Sequence, residues 1–304
     1  MTKVNTSAKD PIASTRLTLK DGWRALVALR DPKGNVLSPS DWEKLLADPR
    51  WLLDGDGRRL KSDECGSVRV RTIRVGARDL CVVVKVQKQA SRFKGFFRNL
   101  RSARAVRTFR TAVKLQAMGV ASEYPLAALE QRKGLWSTKN IYISNYIESR
   151  NLYYFLREDL ATFGHREPAC RRTVARQIAE IFAGLHNGGL WHRDAKAGNF
   201  VVQVSGNLCK VMLVDLDGIK PYRLCRRRNR FRSLAKLAST VLCHRSIHSS
   251  DYRRTFSTYC EFTDLREDCR KTYRELATRA VAVRLLSMAT SAMEGRGIFV
   301  DANG

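Results

Sequence analysis

The sequence predicts an α+β fold with two unequal lobes, the smaller one N-terminal and built on an antiparallel sheet, the larger one mainly helical. Two observations predict it. Strand-like stretches in the first half of the chain are interrupted by one long helical pattern, whereas helical patterns dominate after residue 220. With 304 residues and a hydrophobic fraction of 44%, the chain is also long enough and apolar enough to bury a substantial core.

The small lobe is predicted to contain three strands and one long helix, at residues 67–75, 80–86, 140–147 and 98–118. In the first strand Val68, Val70 and Thr72 alternate with arginines, which is the pattern of a strand with one buried face. The second strand is apolar apart from Lys85 and is therefore predicted to be buried. Gly119 ends the helical pattern.

The large lobe is predicted from a helix at 169–186, a hairpin of strands at 200–204 and 209–214, and further helices beyond Lys220. These elements divide the chain into three segments. An N-terminal extension without an assigned role covers 1–60, the small lobe covers 61–147 and the large lobe covers 148–304.

The charge balance is strongly basic, with 56 Lys and Arg against 29 Asp and Glu and a formal net charge of +27. Such an excess predicts attraction to polyanions: nucleic acid, an anionic membrane face or a phosphorylated substrate. Arginine clusters lie within 92–114 and 223–232, and phenylalanines beside the first cluster belong either to a membrane interface or to the core. Zinc-finger spacing and RNA-binding signatures are absent from the sequence, which disfavours nucleic acid.

The eight cysteines are scattered, and several lie in apolar runs such as the one around Cys81, where a reduced cysteine is predicted to be a small core residue. The first twenty residues lack the apolar core of a signal peptide, and no window approaches the ~18 apolar residues of a membrane span. The prediction is a cytoplasmic protein that touches a membrane at most.

One stretch carries most of the chemical information. His192, Arg193 and Asp194 are followed after four residues by Asn199, and an apolar strand then ends in Asp215. Phosphoryl transfer needs a carboxylate near the attacking hydroxyl, oxygen ligands for Mg²⁺ and cations around the phosphates. This order and spacing match the catalytic pattern of protein kinases, and so predict an ATP-dependent phosphotransferase with a protein-kinase-like fold.

Roles follow from this match. Asp194 is predicted to orient the acceptor hydroxyl and take its proton, with Lys196 stabilising the transferring group. Asn199 and Asp215 are predicted to bind Mg²⁺, with Asp217 as the alternative carboxylate. The alternative for Asp194 is a turn or cap residue, as is common beside Gly and Asn. His192 and Arg193 are predicted to brace the loop.

Lys85 is predicted to bind the α- and β-phosphates of ATP, because a lysine inside an apolar strand is costly unless it meets an anion. The alternative is a lysine that faces solvent on an edge strand. A single glycine stands where a glycine-rich loop is expected, so only the amides around Gly66 and Ser67 are available to cover phosphates. The helix at 98–118 has no glutamate for Lys85, which leaves Glu123 or Asp215 as candidate partners.

These residues resemble the lipopolysaccharide kinase (Kdo/WaaP-like) family over about residues 65 to 265. The resemblance is carried by the strand of Lys85 and by five further stretches, at 112–120, 124–130, 142–147, 185–200 and 230–237. It implies transfer of phosphate from Mg-ATP to a sugar of the lipopolysaccharide inner core, at the cytoplasmic side of the bacterial inner membrane. The adenine would lie against Asn145, Tyr146 and Ile147.

The leading hypothesis is therefore an ATP- and Mg²⁺-dependent kinase for an anionic glycolipid acceptor, with peripheral membrane contact through the arginine clusters. Two alternatives stay open. An atypical protein Ser/Thr kinase would share the catalytic residues, and a non-catalytic pseudokinase that binds an anionic surface is favoured by the missing glutamate and glycines. The sequence leaves the acceptor sugar and the oligomeric state open.

Overall fold

The computed structural model describes residues 12–54, 56–63, 66–87, 103–133, 136–206, 208–221, 227–242, 246–265 and 269–293. The chain divides into two compact units, Met1–Ile147 and Glu148–Gly304. The first is built on a sheet and the second is mainly helical, which confirms the predicted fold class. Within the described residues, none of the helices combines the length and the apolar character that crossing a bilayer requires.

The first unit contains a seven-stranded antiparallel sheet in the order β1-β2-β6-β7-β5-β4-β3. Its strands are β1 (Ser14–Thr18), β2 (Trp23–Ala28), β3 (Arg58–Asp63), β4 (Gly66–Val75), β5 (Arg78–Gln87), β6 (Pro125–Lys133) and β7 (Trp136–Asn145). The three predicted strands correspond to β4, β5 and β7, although β7 begins earlier and ends two residues sooner than predicted. The other four strands escaped the sequence analysis.

Both faces of this sheet are covered. Helix α1 (Pro39–Leu45) and the 3₁₀ turn Pro49–Leu53 pack on one face, where the fully buried Trp42 donates from Nε1 to the carbonyl of Ala28 at 2.9 Å. Helix α2 (Arg104–Ala117) packs on the other face, where Phe109 lies against Tyr142. Residues before position 61 therefore supply two strands, the first half of β3 and one covering layer of the unit.

Helix α2 corresponds to the long helix predicted at 98–118, whose first residues lie outside the described part of the chain. The helix ends before Gly119, which has a φ of +67° and lets the chain turn away. Ala112, Val113 and Leu115 are buried as predicted.

The prediction for Cys81 was wrong. It is exposed, because it lies on the side of β5 opposite to the buried Val82 and Val84. Each cysteine within the described ranges is a free thiol, at positions 81, 170, 209, 260 and 269.

The second unit contains the helices α3 (Leu152–Tyr154), α4 (Glu167–Asn187), α5 (Arg227–Val241), α6 (Ser249–Glu261) and α7 (Cys269–Met293). Two small antiparallel sheets accompany them: β8 (Arg150–Asn151) and β11 (Leu208–Leu213) flank β10 (Phe200–Ser205), and β9 (Leu190–His192) pairs with β12 (Ile219–Pro221). Helix α4 and the β10–β11 hairpin correspond to the predicted helix and hairpin.

Helices α4 and α6 are joined by a mostly buried ion pair. Arg171 Nη1 lies 2.8 Å from Asp251 Oδ2, and Arg171 also contacts Glu167 and the carbonyl of Ser246. Beside this pair, apolar side chains of all five helices line a cavity of about 200 Å³, among them Leu152, Phe182 and Leu276.

Candidate active site

The loop between β9 and β10 carries the predicted catalytic residues and holds its shape largely through its own backbone. The amide of Lys196 donates to the carbonyl of Asp194 at 2.9 Å, and the amide of Asn199 donates to the carbonyl of Lys196 at 2.9 Å. The amide of Arg193 donates to the carbonyl of Gly218 at 2.9 Å, next to the pairing of β9 with β12. These bonds fix the loop without using the side chains of the predicted reacting groups.

Asp194 and Lys196 form an ion pair at the surface of the second unit. Asp194 Oδ2 lies 3.3 Å from Lys196 Nζ, and the two side chains are 45% and 48% exposed. Both groups are thus open to a substrate from solvent. The cation beside the carboxylate is suitably placed to meet a phosphoryl group that approaches Asp194.

Asn199 is buried and connects the loop to the neighbouring strand. Its Nδ2 donates to the carbonyl of Asp194 at 2.7 Å, and its own carbonyl accepts from the amide of Val214 at 2.8 Å. Val214 directly precedes Asp215, so the backbone joins the two predicted metal ligands. The remaining side-chain atom of Asn199, Oδ1, is the one with which it could bind a cation.

Asp215 has left-handed backbone angles, φ +59° and ψ +59°. Within the described residues, the only other non-glycine residue with positive φ is Asp21. Such a conformation costs about 1–3 kcal/mol and is concentrated at functional sites. Asp217 follows in the short turn Leu216–Gly218, so the two candidate carboxylates differ in backbone conformation. Asp215 comes two residues after the end of β11.

An amide oxygen and one carboxylate fit Mg²⁺, which takes few protein ligands and keeps water or phosphate oxygens on its other positions. In the part of the chain that the structure describes, no group of three or more His, Cys, Asp or Glu side chains forms a closed metal site.

His192 is buried behind the loop. Its Nδ1 accepts from the amide of Asp194 at 3.1 Å, and its carbonyl accepts from the hydroxyl of Ser233 on α5 at 3.0 Å. Burial lowers the pKa of His192, against the opposing charges of Asp215 and Asp194. A neutral ring with Nδ1 as acceptor can hold Asp194 in position but is not exposed to carry protons to a substrate.

Lys85 lies in an interior strand, because β5 pairs with both β4 and β7. The edge-strand alternative is therefore wrong. Lys85 is paired with Tyr142 of β7, and directly paired residues share a face of a sheet. Since Tyr142 packs against α2, the side chain of Lys85 leaves the sheet on the α2 face and is half-buried there.

Gly66 begins β4 with a φ of +149°. A Cβ at this position would lie 2.1 Å from the carbonyl oxygen of Val86, so the glycine permits close approach of β4 to β5. Ser67 is the next residue and pairs with Val86. The turn at Glu64 and Cys65 lies outside the described residues.

The segment predicted to contact adenine uses its polar atoms to brace the first unit. Asn145 Oδ1 accepts from the amide of Tyr124 at 2.6 Å. Tyr146 donates its amide to the carbonyl of Cys81 at 2.9 Å and accepts from Arg58 at 2.7 Å through its hydroxyl. Ile147 is half-buried at the end of the unit.

Three further contacts come from α5, two to β9 and one to the catalytic loop, and were missed by the sequence analysis. Besides Ser233, Thr240 Oγ1 accepts from the amide of Ala197 at 3.0 Å, and the Arg232 guanidinium lies 5.7 Å from the centre of the Trp191 ring. The available signal was the eight-residue spacing of Arg232 and Thr240, with Lys236 midway, because steps of four residues keep side chains near one face of a helix.

Comparison with known proteins identifies the family. The model of the "Lipopolysaccharide kinase (Kdo/WaaP) family" matches residues 81–259. No curated protein matches the sequence. Among solved structures, WaaP in complex with acyl carrier protein is similar with 18% identity and a TM-score of 0.56, over 84% of this chain and 97% of that chain.

A second similar structure is a Toxoplasma gondii specific rhoptry antigen kinase domain, with 13% identity and a TM-score of 0.44 over 76% of this chain and 83% of that one. The likeness to WaaP extends over most of both chains and agrees with the fold that the sequence predicts. The family match covers more than half of the 304 residues. The chain belongs to the lipopolysaccharide kinase (Kdo/WaaP) family.

Proposed function

We propose that this member of the family is a kinase that transfers the γ-phosphoryl group of Mg-ATP to a sugar hydroxyl of the lipopolysaccharide inner core or a similar glycolipid. The observation that carries the proposal is the loop in which Asp194 and Lys196 are exposed together while Asn199 is tied to the residue before Asp215. In this reaction the first unit acts as the small lobe and the second unit as the large lobe.

Each residue has a role in this reaction. Asp194 accepts the proton of the acceptor hydroxyl as the new O–P bond forms and the bond to the leaving ADP oxygen breaks. Lys196 stabilises charge on the transferring group, and Lys85 holds the α- and β-phosphates. Asn199 and Asp215 hold Mg²⁺, which neutralises phosphate charge when bound. His192 and Arg193 support the loop.

The proposed location follows from the reaction and the charge. ATP is available on the cytoplasmic side of the inner membrane, where a lipopolysaccharide precursor presents an anionic surface. A net charge of +27 supports peripheral attraction to that surface, since each basic residue near an anionic membrane contributes about 1 kcal/mol.

We also propose a protein partner, an acyl carrier protein, from the partner in the similar WaaP structure. The apolar cavity of about 200 Å³ in the second unit supports it, because an acyl chain needs an apolar site. Titration calorimetry with acylated and unacylated carrier protein tests this. Ala238→Phe, which fills the cavity, should weaken binding of the acylated form alone; absence of binding by either form contradicts the proposal.

The kinase proposal is tested by offering labelled ATP with purified lipopolysaccharide core and a generic protein side by side. We expect label on the glycolipid, and a loss of about 10²–10⁴ in kcat for Asp194→Asn. The melting temperature should hardly change, because Asp194 is half-exposed. The matched control is Asp79→Asn, which breaks an exposed ion pair with Arg74.

Two outcomes contradict the proposal. Label on the protein alone would make the chain an atypical Ser/Thr kinase. Tight nucleotide binding without transfer to either acceptor would make it a pseudokinase.

A further inference from the structure

Helix α5 carries five basic residues, and they differ in their partners. Arg227 lies 3.3 Å from Glu275, and Arg230 contacts Asp264. In contrast, Arg228, Arg232 and Lys236 have no carboxylate within ion-pair distance among the described residues. These three side chains are called the α5 row.

The α5 row lies on one face of the helix, because its members are four residues apart. The rise of a helix separates neighbouring members by about 6 Å along the axis. The next position on the same face is Thr240, whose Oγ1 accepts from the amide of Ala197 in the catalytic loop at 3.0 Å. The helix that carries the row therefore lies beside the loop that carries Asp194.

A second contact fixes the middle of the row. The guanidinium of Arg232 lies over the ring of Trp191, which directly precedes His192. A cation stacked on a ring is held in place but keeps its charge and its outward donors. Arg228 and Arg232 are exposed, and Lys236 is half-buried. The helix that carries these cations is thus held against β9 and the catalytic loop by the contacts at Trp191 and Ala197.

We propose that the α5 row binds a phosphate or carboxylate group carried by the acceptor itself and so positions the acceptor hydroxyl at Asp194. This inference rests on the proposed function and defines its substrate class as an anionic sugar. Attraction to a membrane surface would need positive charge but no register with the loop. The fixed contacts of Arg232 and Thr240 therefore favour recognition of a group on the acceptor.

The test uses the full chain with a lipid-free core oligosaccharide, either with its anionic groups or in a stripped form whose phosphates are removed and whose carboxyl groups are reduced. The variant Arg228→Gln/Arg232→Gln/Lys236→Gln removes the row. A second variant, Arg228→Gln/Lys236→Gln, keeps the stacked Arg232 in case the triple variant does not fold. The control Arg172→Gln/Arg270→Gln/Arg279→Gln removes three exposed arginines of α4 and α7.

With the anionic oligosaccharide, we expect the KM of the row variants to rise about tenfold or more, the effect of losing hydrogen bonds to a charged group. The KM for ATP should stay unchanged, and the control should behave as the unmodified protein. With the stripped oligosaccharide, the unmodified protein should already have a high KM, and the KM of the row variants should be no higher.

Equal KM values for row variants and control would overturn the inference. So would variants that lose binding to phosphatidylglycerol vesicles but keep their kinetics on the soluble acceptor, since the row would then serve a membrane. Binding of the oligosaccharide without ATP separates this inference from the proposed function. If nothing is phosphorylated but the row variants alone lose binding, the anion site stands and the kinase proposal fails; absence of binding by the unmodified protein overturns the anion site.

Discussion

The ring of His192 lies directly against the α-carbon of Gly218. A Cβ at position 218 would be 2.5 Å from Cε1 and 2.8 Å from Nδ1 of the ring. The contact exists because β9 pairs with β12 and places Ile219 opposite His192. Glycine at this position thus lets the ring reach the amide of Asp194.

Gly218→Ala should therefore displace the ring and disturb Asp194. Overpacking of this kind costs about 1–3 kcal/mol of stability, and we expect kcat to fall by more than the stability loss explains. Gly198→Ala is the matched control in the same loop, because its Cβ would meet its nearest neighbour at 3.6 Å. Kinetics and thermal unfolding of both variants measure the effect. Equal activity of the two variants would mean that His192 does not position Asp194.

The variant Asp215→Asn removes the charge of the carboxylate and keeps the left-handed backbone conformation. Asparagine adopts left-handed angles about as readily as aspartate, so the variant should fold normally. Loss of the carboxylate should weaken Mg²⁺-dependent nucleotide binding by about tenfold or more, because replacing even an outer-shell partner of a metal typically costs about 10–100-fold in affinity. Binding measured with and without Mg²⁺ gives the difference, and Asp217→Asn is the comparison. A larger effect from Asp217→Asn would identify that residue as the ligand.

The buried His186 predicts a pH dependence of stability. Burial lowers the pKa of His186 to about 3. Above pH 6.5 neither state binds the proton, whereas between about pH 6.5 and 3 only the unfolded chain does. The free energy of unfolding should therefore fall by about 1.4 kcal/mol per pH unit on acidification from this group alone.

Chemical unfolding at a series of pH values measures this slope. His186→Gln should reduce it by about one proton between pH 6 and 4. Tyr259→Phe removes the hydrogen bond of 2.8 Å to His186 Nδ1 but keeps the ring buried, so it should lower stability with the slope retained. An unchanged slope in His186→Gln would contradict the assignment.

The pair between Arg171 and Asp251 should couple α4 to α6. Their side chains are 11% and 8% exposed, and removing one partner of a buried pair typically costs about 3–5 kcal/mol. We expect Asp251→Ala to destabilise strongly and a double-mutant cycle with Arg171→Met to give a coupling energy above about 1 kcal/mol. The exposed pair Arg176–Glu180 is the control, with an expected coupling below about 0.5 kcal/mol.

Some strands could be predicted from sequence and others could not, for identifiable reasons. The strand of Lys85 was predicted because β-branched residues surround it. By contrast, β6 (Pro125–Lys133) is rich in Ala, Leu, Glu and Gln, which favour helix. Burial of Leu126 to Leu129 between β2 and β7 overrides that preference, and only the tertiary structure supplies this burial.

Some features of the candidate site could also be predicted from the sequence, and others could not. The spacing of Asp194, Asn199 and Asp215 predicted one loop and a following strand, because local motifs encode such connections. The left-handed angles of Asp215 and the contact between Gly218 and His192 were not predicted. The contact depends on the pairing of β9 with β12, which no local pattern specifies.

Residues before position 61 cover one face of the sheet, and they therefore limit where the chain can be truncated. The recognisable family segment starts at residue 81, in the middle of β5, yet β5 pairs with β4, and the sheet's core includes Leu17, Trp23 and Trp42 from upstream. A fragment starting at residue 81 would expose an unpaired strand edge and bare apolar surface, which invites aggregation. The segment that the family model matches is therefore shorter than the segment that the first unit needs in order to fold.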